Sequence, residues 1–392
     1  MINAHIAGWG KYLPGKIITN AELAQDAGID AEWVKARTGI EQRHVAEPKQ
    51  ASADMATRAA HAALEVADLP PSQLDLIIAA TNTPDFWFPA TACLVQDALG
   101  ADHAGAFDLA AGCSAFLYSL VVADRFIRSG AYRNILVVGV ETVSRILDWH
   151  DKMCAYFGDG AGAVVLTASE QPGGLLGFAL SSDGSGSDLL ILPGGGTRYG
   201  ITQEVLDQGL QYGRMDGRAV YRYGLRAMTR IGQRALRHAH LKIKDIDLFL
   251  PHQTNSTLIQ QVAERLRVPT EKTFVNVARY ANISSAAIPV SICDAVEAGR
   301  IQPGHRLLIT AFGGGLTSAG VVWQWSQPLP HKPLPFARRL WHALWDAQAA
   351  FRSRLFRLEH QLDTLTPTEE ETPEETDERS EQSTTRVETK SE

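Results

Sequence analysis

The chain has 392 residues, 45% of them hydrophobic and 21% charged, with a net charge of −7 at neutral pH, which is the composition of a globular protein with a sizeable core. The charge is local: residues 363–392 hold eleven acidic and three basic side chains, so the rest of the chain sits near +1, without the basic surplus of a nucleic-acid binder. No apolar run approaches the ~20 residues of a membrane span, the first residues predict no secretion signal, and four scattered cysteines without CxxC spacing fit neither zinc nor a disulfide scaffold. Reduced thiols in a cytoplasmic protein are expected.

Strands and helices alternate along the chain. LDLIIAATNT (74–83) predicts a buried strand, ATACLVQDALG (90–100) a helix, and GAFDLA (105–110) a strand. CSAFLYSLVVADRFIRSG (113–130) follows as a helix closed by Gly130, then NILVVGVE (134–141) as a strand, and GDGAGAVVLTAS (158–169) as a Gly-rich turn into another. This is a layered α/β pattern. The second half repeats it: IDLFLPHQTN (246–255) matches the first strand, a helix spans 257–267, and HRLLITAFGGG parallels RNILVVGVE. FVNVARYANISSAAIPVSICDAVEAGR parallels FDLAAGCSAFLYSLVVADRFIRSG, and registering Gly130 on Gly299 carries Cys113 onto Asn282.

The expected organisation is therefore two similar halves, 1–168 and 169–326, followed by an extension. A Pro-rich linker and an amphipathic helix occupy 327–362, with Leu340, Leu344, Ala347, Phe351, Leu355 and Leu358 at helical spacing between arginines. That helix fits a membrane surface, a partner, or the body of its own protein. The acidic remainder, 363–392, lacks the apolar content to fold by itself.

Three residues in this pattern carry chemistry. Cys113 stands at the seam of a strand and a helix among Ala110, Ala111, Gly112, Ser114 and Ala115, which permit close approach of another backbone or a substrate. A buried apolar role is open to it, as to Cys93, Cys154 and Cys293. Unpaired amides at a helix N-terminus favour thiolate, however, which makes Cys113 the candidate nucleophile. His252 follows an apolar strand at the turn into a helix, where α/β folds place active sites and where packing histidines also occur. Asn282 reads as a helix N-cap or as a site residue. Cys, His and Asn on three strand-to-helix junctions, two of them related by the repeat, point to one site.

With those residues in place, the chain resembles the thiolase superfamily of condensing enzymes, most closely β-ketoacyl-acyl carrier protein synthase III. The resemblance runs over about residues 3–325, through IAGWGKYLPGKIITNAEL, EWVKARTGIEQRH, AAGCSAF, YFGDGAGAVVL, PHQTN, ANISSAA and AFGGGLTSAG. It implies a duplicated five-layer αβαβα fold with Cys113, His252 and Asn282 as catalytic residues. Acyl-CoA would acylate Cys113, with the amides of Cys113 and Gly314 holding the oxyanion. His252 and Asn282 would then stabilise the enolate of malonyl-ACP or malonyl-CoA as it loses carbon dioxide. Claisen condensation would give a β-ketoacyl thioester for fatty acid or related lipid or polyketide synthesis, with no metal or redox cofactor.

The same resemblance implies that Trp33, Arg37 and, roughly, Lys152 hold the nucleotide end of coenzyme A. Gly217 and Asn255 would line the pantetheine channel, and Phe88 would reach across a homodimer into the partner's acyl pocket. The last Gly-rich segment lacks the second cysteine of thiolases, which disfavours thiolase activity. Ala281 replaces the family's usual glycine before Asn282, and Thr257 replaces an arginine implicated in carrier docking. These departures leave the primer and the carrier contact open. Acyl transfer to a hydroxyl or amine, and non-catalytic binding by a thiolase fold, are the competing readings.

Overall fold

Two β-sheets pack face to face across a pair of buried helices. The computed structural model describes residues 2–326 and, in the extension, residues 344, 347–348 and 351–358. The first sheet holds β1 (Asn3–Tyr12), β2 (Leu76–Ala80), β3 (Gly105–Leu109), β4 (Asn134–Thr142) and β5 (Asp159–Ser169), in the order β1-β5-β4-β2-β3. The second holds β6 (Gly174–Ser182), β7 (Leu248–Pro251), β8 (Arg306–Gly313) and β9 (Thr317–Gln324), in the order β7-β8-β9-β6. In each sheet a parallel pair, β2/β4 or β7/β8, continues into antiparallel neighbours. The repeated plan in the sequence is thus a repeated strand order.

The helices that frame the sheets and the site are α1 (Ala31–Thr38), α2 (Ser52–Ala67), α3 (Thr91–Leu99), α4 (Ala115–Arg128), α5 (Gly217–His238), α6 (Ser256–Leu266) and α7 (Ala287–Glu297). Phe116, Leu120 and Ile127 of α4 and Ile288 and Ile292 of α7 fill the space between the sheets, against Ile78, Val137, Leu250 and Ile309. Helices α2 and α3 cover the outer face of the first sheet, and α5 and α6 that of the second. The result is the five-layer αβαβα arrangement expected from the resemblance.

One strand of the repeat is missing. The FVNV stretch, the counterpart of β3, forms no strand; an isolated bridge between Phe249 and Thr273 lies just before it. A side chain takes over the ladder's role. The Gln253 carboxamide donates to the carbonyls of Pro251 and Phe274 (2.8 and 3.1 Å) and accepts from the Asn276 amide at 2.9 Å. These bonds satisfy buried backbone groups that a strand would otherwise pair.

The linker 327–335 and the acidic tail 363–392 lie outside the described residues. Within the expected amphipathic helix, the described residues are helical and touch the body through polar groups. Ser353 and Arg357 each donate to Asp97 at 2.9 Å, and Arg352 pairs with Asp102. Leu344, Phe351 and Leu355 remain exposed.

Helix α2 lies directly on β1 because the contact is made by small residues. A Cβ on Gly10 would sit 2.3 Å from the Ala59 carbonyl, and one on Gly8 2.0 Å from that of Ala63. Gly10→Val is therefore expected to lower folding stability by about 3 kcal/mol or more, since backbone must shift to admit the side chain. Urea unfolding of the variant measures this, and an unchanged midpoint would contradict the close packing.

Candidate active site

The ends of the two sheets meet backbone to backbone, and Cys113 sits at that meeting point. Gly112 has φ 55°, a left-handed conformation suited to glycine. A Cβ there would lie 2.5 Å from the Gly314 carbonyl oxygen, and a Cβ on Gly313 would lie 2.1 Å from the Cys113 nitrogen. The junction leading into α4 and the end of β8 therefore fit only without side chains. This contact turns the backbone amides of Cys113 and Gly314 onto the sulfur.

His252 follows β7, with its amide donating to the Thr310 carbonyl at 2.7 Å and its ring edge-on to Phe312. Asn282 is pinned from the other side: its amide donates to the Tyr156 carbonyl at 2.9 Å and its carbonyl accepts from Gly158 at 3.1 Å. The Asn282 Oδ1 accepts the Ser284 amide at 2.9 Å and lies 3.0 Å from His252 Nε2. Two donors on Oδ1 place the ring proton on Nε2 and leave the carboxamide NH₂ as the free donor end. Nδ1 of His252 lies against the Phe312 backbone without a hydrogen bond of good geometry. Asn282 is not the N-cap that its sequence context also allowed; its side chain closes a local turn instead.

Cys113, His252 and Asn282 line one cavity of 790 Å³, whose walls also include Trp33, Arg37, Gly217 and Asn255. Asn255 doubles as the N-cap of α6, accepting the Leu258 amide at 3.1 Å. Lys152 stacks its ammonium 5.5 Å from the Trp33 ring. On the far side of Cys113 a second cavity of 310 Å³ is lined by Val143, Ile146, Met153 and Leu192 with Gly314 and Ser284. Phe88 enters neither cavity; it is 86% exposed, beside exposed Phe86 and Trp87.

The electrostatics correct one expectation. A thiolate-favouring helix terminus was anticipated at Cys113, but burial dominates and pushes the thiol up to about 12. The Ser284 hydroxyl and the two amides pull the other way, while Glu141 adds to the rise. Burial likewise drives His252 down to about 4. At neutral pH the site holds a neutral thiol beside a neutral imidazole rather than an ion pair, because each charged form would lose its hydration.

Sequence reasoning missed three features. Ser284 places its Oγ 3.2 Å from Cys113 Sγ and 3.0 Å from Glu141 Oε1. Glu141 itself read as the end of an apolar strand. On α5, Arg218, Arg222, Arg226, Arg230 and Arg234 recur at every fourth position, forming a stripe that begins at the larger cavity and carries no ion pair among the described residues. The i, i+4 spacing is legible in the sequence.

Comparison with known proteins places the chain in a family. Family profiles described as 3-Oxoacyl-[acyl-carrier-protein (ACP)] synthase III and its C-terminal part match residues 107–184 and 236–325. Beta-ketoacyl-[acyl-carrier-protein] synthase III of Roseiflexus sp. (strain RS-1) is 45% identical over 82% of this chain and 98% of its own length. The protein of the same name from Desulfitobacterium hafniense (strain Y51) is 43% identical over 83% of this chain and 99% of its own. The crystal structure of 3-oxoacyl-[acyl-carrier-protein] synthase III from Aquifex aeolicus VF5 superposes with a TM-score of 0.76 at 40% identity, covering 82% of this chain and all of that one.

Two predictions follow from the geometry of the site. Ala281 is buried at φ 57° and ψ −158°, a region that costs a non-glycine residue about 1–3 kcal/mol. Ala281→Gly is expected to stabilise the protein by about 1 kcal/mol after the added unfolded-chain entropy, raising the thermal midpoint by a few degrees; a lower midpoint would contradict the strain. The low value of His252 means that the folded protein takes up its proton later than the unfolded chain does. The resulting stability is present above pH 6.5 and lost as pH falls toward 4, by about 3 kcal/mol in all. Denaturant titrations from pH 7 to 4 should show that slope reduced in His252→Gln.

Proposed function

Because the chain belongs to the 3-oxoacyl-[acyl-carrier-protein] synthase III family of thiolase-fold condensing enzymes, we propose that Cys113, His252 and Asn282 are the residues with which it makes a carbon–carbon bond. The observation that carries the assignment is their convergence on one cavity, with sulfur, imidazole and carboxamide reached from three separate segments of the chain. The enzyme is an acyltransferase. Cys113 takes the acyl group of a coenzyme A thioester, and the amides of Cys113 and Gly314 hold the oxyanion that forms. The acyl chain lies in the 310 Å³ cavity, which holds on the order of ten water volumes and so has room for more than an acetyl group.

A malonyl thioester then enters the larger cavity. The His252 Nε2–H, which rests on Asn282 Oδ1, becomes shared with the thioester oxygen, and the Asn282 NH₂ donates to the same oxygen as carbon dioxide leaves. A neutral imidazole suits this task, because it donates a hydrogen bond without first having to lose or gain a proton. Trp33, Arg37 and Lys152 receive the nucleotide end of coenzyme A, and Gly217 and Asn255 flank the pantetheine arm.

The α5 arginine stripe supports an acidic carrier protein as the bearer of the malonyl group. It takes over the task that Thr257 leaves unfilled, and it starts where the arm would enter. The protein works as a homodimer: β3 is an edge strand with β2 as its one neighbour, and Phe86, Trp87 and Phe88 present an exposed aromatic loop. Four free cysteines support a reducing, cytoplasmic setting.

The test is product analysis. Given acyl-CoA and a malonyl thioester, the wild type should release carbon dioxide and a β-ketoacyl thioester, and His252→Ala should lose condensation on the order of 10²–10³-fold while still accepting the acyl group. Acyl transfer to a hydroxyl or amine without carbon dioxide release would overturn the assignment. Arg226→Glu with Arg230→Glu should raise the apparent KM for carrier-bound malonyl about tenfold or more and leave that for acyl-CoA unchanged. An unchanged KM for both would place the carrier elsewhere.

A further inference from the structure

The condensation scheme leaves one buried acid without a task. Glu141, at the C-terminal end of β4, is fully buried and forms no ion pair among the described residues. Donors surround its carboxylate instead: the Asn82 amide at 3.3 and 3.2 Å, Asn82 Nδ2 at 2.6 Å, Thr83 Oγ1 at 2.7 Å and Ser284 Oγ at 3.0 Å. It borders the smaller cavity beside Cys113. Such a group costs free energy to bury and is a candidate for function where it faces a reaction site.

Ser284 connects it to the sulfur. Its hydroxyl has one hydrogen and two neighbours able to share it, Cys113 Sγ at 3.2 Å and Glu141 Oε1 at 3.0 Å. The backbone holds the hydroxyl in that position: Ser284 has φ 49°, and its amide is fixed on Asn282 Oδ1 at 2.9 Å. Cys113 also needs a proton acceptor, since an isolated thiolate is disfavoured at this depth. His252 is poorly placed to serve, because Nε2 already carries its proton toward Asn282.

We propose that Ser284 and Glu141 form a proton relay for Cys113. As Sγ forms its bond to the thioester carbonyl carbon, the thiol proton passes to Ser284 Oγ and the Ser284 hydroxyl proton passes to Glu141 Oε1. The negative charge moves from the carboxylate onto the oxyanion held by the two amides. When the carbon–sulfur bond to coenzyme A breaks, the reverse exchange returns the proton to the departing thiolate. Acyl-Cys113, free coenzyme A thiol and ionised Glu141 remain. Ser284 touches the reacting atom and is a catalytic residue; Glu141 acts through it and is a positioning residue. Burial raises the proton affinity of Glu141 above that of an ordinary carboxylate, bringing it closer to the thiol.

The relay rests on Cys113 being the acylated nucleophile, so the experiment reads the sulfur in two ways. Alkylation of Cys113 by iodoacetamide and acylation by acyl-CoA are each followed by intact-protein mass from pH 6 to 9, in the wild type, Glu141→Gln, Ser284→Ala and Ser284→Thr. The relay predicts a wild-type rate nearly independent of pH. In Glu141→Gln and Ser284→Ala the rate should fall on the order of 10²-fold at pH 7 and climb about tenfold per pH unit. Ser284→Thr should restore much of it.

A carboxylate that merely knits Asn82 and Thr83 together, or acts only as a nearby charge, gives the opposite sign. Removing the charge would then lower the proton affinity of the thiol, and Glu141→Gln would match or exceed the wild-type rate at every pH, overturning the relay. Alkylation without acylation of the wild type would overturn the functional assignment, while the alkylation profile would still decide the relay. If Glu141→Gln fails to fold, the Ser284→Ala and Ser284→Thr pair decides it alone.

Discussion

Everything at this site depends on a backbone contact between two halves of the molecule. Gly112 and Cys113 at one sheet end touch Gly313 and Gly314 at the other, so closely that no side chain fits between them. That contact does two things at once. It buries the sulfur between the two sheet ends, and it points two amides at it. The glycines of the AAGCSAF and AFGGG segments are therefore a steric requirement of that contact and more than turn formers.

Burial then sets the protonation states. Sealing the site raises the thiol and lowers the imidazole, so both are neutral at rest. A neutral imidazole can donate a hydrogen bond as it stands, but a neutral thiol must lose its proton before it reacts. The geometry meets these opposite demands with different neighbours: Asn282 fixes the imidazole tautomer, and Ser284 lies between the sulfur and a buried carboxyl. One backbone segment, 282–284, serves both. Positive φ at Ala281, just before it, and at Ser284, at its end, is a local strain tied to that double use.

Much of this was legible in the sequence. The alternation of strands and helices and the offset between Gly130 and Gly299 disclose the duplication, and the duplication sets Cys113 and Asn282 at equivalent junctions. The missing β3 counterpart was not legible, because FVNV has strand-like composition and only the three-dimensional reach of Gln253 replaces its ladder. The thiol's protonation was misread because a helix terminus is visible in sequence and desolvation is not. Glu141 was hidden for a similar reason: a single acid closing an apolar strand looks like the strand's exit to solvent, whereas here it is folded under Asn82 and Thr83. Phe88 is exposed and enters neither cavity, so the acyl-pocket role expected of it has no counterpart within the single chain.

The central claim is that one sulfur, sealed at this contact, carries the acyl group between two substrates. The most direct measurement is peptide mapping by mass spectrometry after incubation with acyl-CoA alone, across a panel of chain lengths. The account predicts one acyl group per chain, confined to the peptide containing Cys113 and discharged when a malonyl thioester is added. An acyl group found on another residue, or one on Cys113 that malonyl thioester leaves in place, would contradict it.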